Sequence, residues 1–331
     1  MAESRIAVIV PCYNEETTIG KVVADFRAVL PDADIYVIDN NSTDRTSEIA
    51  LRAGATVFTE KRQGKGEVLK AFCERVEAEY FILVDGDDTY PAEDATRLLE
   101  PLVRDEADMV VGSRRGAYGA TAPPPLHRTG NELVCALVNG IFGSTLTDVM
   151  SGYRAFSWRV ARVLPIVSVG FDVETEMTIQ LLYRRYVLKE VPIAYRSRPP
   201  ESVSKLRTFS DGWRVLLKIL VLLVAYKPLT FFGTVSLVSA LVGSALAGYG
   251  FLRYATGGVQ HLQLIALGSA AVLAAVLFLS LGLTISSVNW RVRELESHMV
   301  KLLVWRKSSS MANGSIPRDA VPSKISQPRV R

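Results

Sequence analysis

The chain has 331 residues, 49% of them apolar, with 38 Lys and Arg against 34 Asp and Glu. At roughly 150 residues per domain this suggests two structural units and excludes a single small module; the apolar content excludes disordered, fibrous and collagen-like classes. Between Pro228 and Trp290 the only charged residue is Arg253, so a soluble enzyme without membrane contact is not expected. The net charge of +4 gathers beside that stretch and in the tail, where it suits anionic lipid, and no nucleic-acid partner is expected.

In chain order, short apolar runs at Ile6 to Val10, Ile35 to Ile38, Ala55 to Phe58, Tyr80 to Val84 and Asp108 to Val111 read as strands. Between most of them lie helix-length segments: Thr17 to Leu30, Thr43 to Ala53, Gly66 to Glu77 and Ala92 to Arg104. The alternation predicts an α/β fold, a mostly parallel sheet with helices on both faces. The apolar run at Ile6 is too short for a signal peptide, so this part is expected to stay in the cytoplasm. Cys12, Cys73 and Cys135 have apolar neighbours and no CxxC spacing, as core residues in a reducing compartment would.

Phe209 to Tyr226 mixes Asp211, Arg214 and Lys218 into a Val/Leu run, the pattern of a helix in the headgroup region. Pro228 to Leu252 and Leu262 to Val288 are each long enough for the about 20 residues that a span requires. Gly257-Gly258 lies between them, so a transmembrane hairpin is predicted. Lys227 before it, and Arg291, Arg293, Lys301, Arg306 and Lys307 after it, outweigh Arg253 in the connection and place both ends in the cytoplasm. Gly243, Ala247 and Gly250 give the first span a small-residue face, which leaves room for a homo-oligomer. From Ser308 to Arg331 no hydrophobic period is seen, and disorder is expected. The predicted organisation is a catalytic domain over 1–208, an interfacial helix over 209–227, the spans over 228–290 and a basic tail over 291–331.

Ligands bind such sheets beyond the carboxyl ends of the strands. Polar residues crowd those ends: Pro11-Cys12-Tyr13-Asn14-Glu15 after the first, Asp39-Asn40-Asn41-Ser42 after the second, and Asp85-Gly86-Asp87-Asp88 after the fourth. Asp85 and Asp87 are hard oxygen ligands suited to Mg2+ or Mn2+, with diphosphate and water completing the shell; Asp88 is open between that role and capping a turn. Gly64-Lys65-Gly66 either brings N–H groups and a cation to a phosphate or is a plain tight turn. No GxGxxG or GxxxxGK[ST] motif is present.

Ile-Val-Pro-Cys-Tyr-Asn-Glu-Glu at 9–16, Ile-Asp-Asn-Asn-Ser-Thr-Asp-Arg-Thr at 38–46 and Asp-Gly-Asp-Asp at 85–88 together resemble the inverting GT-A glycosyltransferases of family 2. Gly-Ser-Arg at 112–114, Asp-Val-Met-Ser-Gly-Tyr-Arg at 148–154 and Ser-Val-Ser-Lys-Leu-Arg at 202–207, followed by a hairpin, resemble the polyprenyl-phosphate hexose synthases within it. The resemblance implies a Rossmann-like GT-A domain. It implies a nucleotide-sugar site at Pro11, Tyr13, Asn14, Glu15, Asp39, Asn40, Lys65, Asp85 and Gly86, with base and ribose on Pro11, Tyr13, Glu15 and Asp39. It implies metal on Asp85 and Asp87, and an acceptor phosphate on Arg114, Arg128 and Lys205. Asp39-Asn40 stands where many relatives have paired aspartates, which bears on nucleotide preference. Asp148 is a candidate sugar-orienting carboxylate, and Glu174 and Glu176 either face the sugar or lie on a solvated helix face.

The implied reaction is transfer of a hexose from a nucleotide sugar, UDP-glucose before GDP-mannose, to the phosphate of a polyprenyl phosphate. A phosphate monoester is already anionic near neutral pH, with a second pKa of about 6, so the absence of a triad around His127, His261 or His298 fits. Transfer to another lipid acceptor and an inactive membrane scaffold are the competing readings.

Overall fold

The computed structural model describes residues 5–115, 125–166, 173–197, 217, 220–256 and 261–312, with side chains left aside at 74, 125–128 and from 299 onward. Two compact units divide at Lys227 and Pro228. In the first, a seven-stranded sheet runs in the order β3-β2-β1-β4-β6-β5-β7, from β1 (Ile6–Cys12), β2 (Asp34–Asp39), β3 (Thr56–Thr59), β4 (Tyr80–Leu83), β5 (Met109–Ser113), β6 (Arg154–Ser157) and β7 (Leu188–Pro192). Helices α1 (Ile19–Val29), α2 (Thr46–Arg52), α3 (Lys65–Arg75), α4 (Ala95–Val103), α5 (Pro125–Phe142), α6 (Trp158–Val163) and α7 (Val173–Tyr183) connect the strands.

β1 is apolar throughout because both of its faces are covered. Val8, Val10 and Cys12 face a core shared with Phe26 of α1 and Leu98 of α4, while Ala7 and Ile9 face Leu69 and Phe72 of α3 and Met177 of α7. Parallel pairing of β1 with β2 and β4, and of β2 with β3, brings the carboxyl ends of β1, β2 and β4 to one edge of the sheet. β6 is antiparallel to both β4 and β5, so β5 points the same way as β4 and the segment entering β6 starts at that edge. Five strands were expected; β6 and β7 were not, because Arg154-Ala155-Phe156-Ser157 and Leu188-Lys189-Glu190-Val191-Pro192 interleave charge with apolar residues.

The second unit consists of α8 (Pro228–Ala255) and α9 (Leu262–Ala312), both long and apolar enough to cross a membrane. They pack antiparallel, Gly243 beside Gly268 and Gly250 beside Ile265, and Ser236 Oγ donates to the Ala275 carbonyl at 2.7 Å. A Cβ on Gly268 would lie 2.5 Å from the Ala247 nitrogen. The small residues offered for oligomerisation are therefore used inside the hairpin, where they let its own backbones approach. α9 also continues past Val288, where the span was expected to end, and through Ser308, where disorder was expected to begin, to Ala312. The segment after Trp290 is rich in Arg, Glu, Leu and Lys, good helix formers, and Arg291 pairs with Glu294 at 3.2 Å one turn on. Most of the predicted interfacial helix, the Gly257-Gly258 connection and the tail from 313 lie outside the described residues; 220–226 are helical.

Candidate functional site

The three loops after β1, β2 and β4 each turn on a left-handed residue, Asn14 (φ 52°), Asn41 (φ 64°) and Asp88 (φ 59°), a conformation that short polar side chains tolerate best after glycine. They are tied to one another. Asn14 N donates to Ser42 Oγ and Glu15 N to Thr46 Oγ1, both at 2.9 Å, and Thr43 N donates to Asn14 Oδ1 at 2.8 Å. Thr18 Oγ1 donates to the Gly86 carbonyl at 2.6 Å. Gly86 has no room for a side chain, since a Cβ would lie 2.6 Å from Cys12 Sγ.

These loops surround a cavity of about 420 Å³, lined by Pro11, Tyr13, Glu15, Asn40, Lys65, Asp85, Gly86, Asp87 and Arg114, all singled out in the sequence, and by Cys12, Gln63, Gly64, Val68, Thr89, Tyr90, Met150, Gly152, Glu174 and Tyr195. Asn40 organises the neighbouring loop. Its Nδ2 donates to the carbonyls of Glu60 (3.0 Å) and Arg62 (2.7 Å), and its Oδ1 accepts from Gly64 N at 2.7 Å. An aspartate could accept the last bond but could not make the first two. Gly64 itself holds φ 135°, open to glycine and strained for other residues, and positions Lys65 as the first residue of α3.

Lys65 Nζ lies 2.5 Å from Asp85 Oδ1 and also pairs with Glu174 Oε1. Burial works against its charge, but Asp85 and Glu174 outweigh burial and hold the proton well above the ordinary lysine range. The Asp85 carboxylate rests directly on Gly152, where any Cβ would collide with it. Asp87 is buried and its Oδ1 accepts from Thr89 Oγ1 at 2.6 Å and Thr89 N at 3.2 Å. Tyr90 donates nothing to these acids; its hydroxyl accepts from Gly152 N at 3.1 Å, and burial pushes the phenol far up, so it stays neutral.

Across the cavity, Arg114 is clamped by Asp148. Nε donates to Oδ2 at 2.7 Å, Nη2 to Oδ1 at 2.8 Å, and the backbone N to Oδ2 at 3.0 Å. Asp148 is fully buried and does not line the cavity. Its own turn is fixed by Glu190 of β7, which accepts from the backbone N of Thr147 and Asp148 at 2.7 and 2.8 Å. Burial opposes the Arg114 charge, but the Asp148 carboxylate outweighs it and keeps the guanidinium protonated. With Nε and Nη2 taken, the Nη1 edge is what a ligand can meet, and the ring of Tyr195 lies 5.6 Å from the guanidinium carbon.

Two more predicted residues, besides Asp148, stand behind the wall rather than in it. Asp39 accepts from Ser42 N at 3.0 Å and Ser47 Oγ at 2.8 Å, and Asn14 holds the β2 loop. Glu174 and Glu176, offered as inward or solvated, are both buried on α7. Arg128 falls in α5 but its side chain, and all of Lys205, lie outside the described residues. Tyr90, Tyr195 and Gln63 were missed. Gly152 lay inside the quoted Asp-Val-Met-Ser-Gly-Tyr-Arg run, where a glycine can mark a close approach.

The acids fit a hard divalent cation: Asp85 and Asp87 bring carboxylate oxygens to the cavity and no imidazole lines it, and among the described residues no group of three Asp, Glu, His or Cys could hold an ion alone. Oxygens of a bound diphosphate and water would have to complete its shell.

The profile of glycosyl transferase family 2 matches residues 7–191. Glycosyltransferase AglJ of Haloferax volcanii is 34% identical over 278 residues, covering 84% of this chain and 91% of its own. A dolichyl-phosphate hexose transferase of the same archaeon is 34% identical over 207 residues, 62% of this chain and 89% of its own. An undecaprenyl-phosphate mannosyltransferase of Micrococcus luteus is 30% identical over 207 residues, 59% and 84% of the two chains. Among solved structures, glucosyl-3-phosphoglycerate synthase from Mycobacterium tuberculosis, in complex with Mn2+, UDP-glucose and phosphoglyceric acid, matches with a TM-score of 0.56 at 23% identity over 67% of this chain and 80% of that one, a likeness of fold.

Proposed function

The chain belongs to glycosyltransferase family 2, and from that premise we propose that it moves a hexose from a nucleotide sugar to the phosphate of a polyprenyl phosphate at the cytoplasmic face of a membrane. One observation carries the reading: a single cavity joins two hard carboxylates, Asp85 and Asp87, to a clamped guanidinium, Arg114, in a chain that also carries two helices long enough to span a bilayer. The dolichyl- and undecaprenyl-phosphate relatives support the acceptor class. The basic residues flanking the hairpin support the cytoplasmic face.

In this reading 1–208 is the catalytic part and 209–227 lies in the headgroup region. Pro11, Tyr13, Glu15 and Asn40 line the nucleotide end. Asp85 and Asp87 would hold Mg2+ or Mn2+, which, when bound, neutralises charge gathering on the leaving diphosphate. Arg114, with Arg128 and Lys205, receives the lipid phosphate, because a guanidinium fork matches phosphate oxygens and stays charged. Asp148 acts on Arg114 as a positioning residue, not on the sugar. A phosphate oxygen attacks the anomeric carbon as the bond to the diphosphate oxygen breaks on the opposite face, inverting the centre. The acceptor is already anionic, so no residue has to remove a proton. The membrane anchor follows from the acceptor, since each exposed CH2 costs about 0.8 kcal/mol.

The test is incubation of the detergent-solubilised protein with Mg2+ or Mn2+, polyprenyl phosphate and a panel led by UDP-glucose and GDP-mannose, followed by mass spectrometry. A lipid-phosphate hexose from one donor is expected. No product from any donor, with the protein folded, would overturn the reading. Arg128→Ala should raise the KM for lipid phosphate or lower kcat while nucleotide binding holds.

A further inference from the structure

Lys65 stands between two acids at the wall of the cavity, 2.5 Å from Asp85 and in contact with Glu174, its side chain only 10% exposed. An ammonium has three donors and nothing to accept with. Asp85 is also a carboxylate that the proposed function gives to a divalent ion, so one acid faces two cations. Glu174 comes from a helix buried along its length and keeps the lysine near Asp85. With the ammonium in place the three groups sum to −1; without it they would sum to −2.

We propose that Lys65 is an internal counter-cation that competes with the divalent ion for Asp85, so that the ion binds well only together with a nucleoside diphosphate, whose oxygens draw the ammonium away. The proposal rests on the metal reading above. It makes metal and donor sugar mutually dependent: whatever factor the nucleotide adds to metal affinity, the metal adds to nucleotide affinity. It also assigns Lys65 a task before chemistry begins, countering the charge of the buried Glu174 and of the half-buried Asp85 beside it.

Mn2+ binding to the full chain in detergent, followed by loss of the free Mn2+ electron paramagnetic resonance signal with and without UDP or GDP, tests this apart from activity. For the wild type a gain of roughly tenfold on adding nucleotide is expected. Lys65→Met should raise nucleotide-free affinity by about tenfold, and Glu174→Gln, which brings the local charge to zero, should lower it. Damage to the fold would weaken all variants alike, so opposite signs distinguish a charge role from a structural one. Should Lys65→Met alone not fold, Lys65→Met with Glu174→Gln removes both charges together and is expected to bind Mn2+ more tightly than Glu174→Gln. A folded lysine variant that gains nothing, while wild type takes up Mn2+ with nucleotide, overturns the counter-cation alone. Wild type that takes up no Mn2+ with either nucleotide overturns the metal reading and this proposal with it.

Discussion

Helix α7 lies inside the first unit from Val173 to Leu181, yet it carries Glu174, Glu176 and Gln180. Each has a partner: Glu174 pairs with Lys65, and Gln180 Nε2 donates to Glu176 Oε1 at 2.9 Å. In the α8–α9 hairpin the close contacts fall at Gly243, Gly250 and Gly268, while Leu241, Leu252, Leu273 and Leu277 point outward, each more than 60% exposed. In the first unit, buried polar groups are tolerated because they are paired. In the second, large apolar side chains face outward and backbone proximity supplies the internal contact, the arrangement suited to lipid.

Substitutions can break each side of that contrast. The largest effect is expected at Asp87, the acid proposed to hold the divalent ion: Asp87→Ala should lower kcat by about 10³-fold or more in the lipid-phosphate hexose assay, on the scale of losing a key electrostatic group, with the thermal midpoint near wild type. Full activity would remove it from the site. Asp148→Asn comes next, because it removes the buried charge that clamps the half-buried Arg114 guanidinium: a loss of about 3 kcal/mol in denaturant unfolding of the first unit is expected, with a raised KM for the lipid phosphate. An unchanged KM would mean that Arg114 needs no such clamp. On the other side, Gly268→Leu should force the hairpin helices apart at a cost of about 1–3 kcal/mol, seen as a lower thermal midpoint in detergent. Leu241→Ala, on the outer face, should stay within about 0.5 kcal/mol, and a larger loss would show that this face is covered.

The alternation of strands and helices was legible because both faces of β1, β2 and β4 are buried, which writes continuous apolar runs. β6 was not, since Arg154 looks like a surface residue. In the structure it is fully buried, with Nε donating to the Ser151 carbonyl at 2.9 Å and Nη1 to Thr178 Oγ1 at 2.8 Å. The wall of the cavity was legible where polar residues follow strands directly, as at Tyr13, Asn40 and Asp85. Contacts made across the fold were not: nothing local joins Lys65 to Glu174, or Arg114 to Asp148 and then to Glu190. Asp39 and Asn14 have the right chemistry in the right loop, and only the turn geometry shows that their side chains hold backbone.

Helix α9 runs without a break from Leu262 to Ala312. The part beyond Val288 is about 36 Å long at 1.5 Å per residue. A bilayer that thins or thickens makes a span change its tilt, and with no hinge between them the basic segment has to follow. A tilt of about 10° would carry the far end roughly 6 Å sideways. Where α9 spans a bilayer, as proposed above, the unbroken helix would serve as a lever arm, turning a change in membrane thickness into displacement of its basic end.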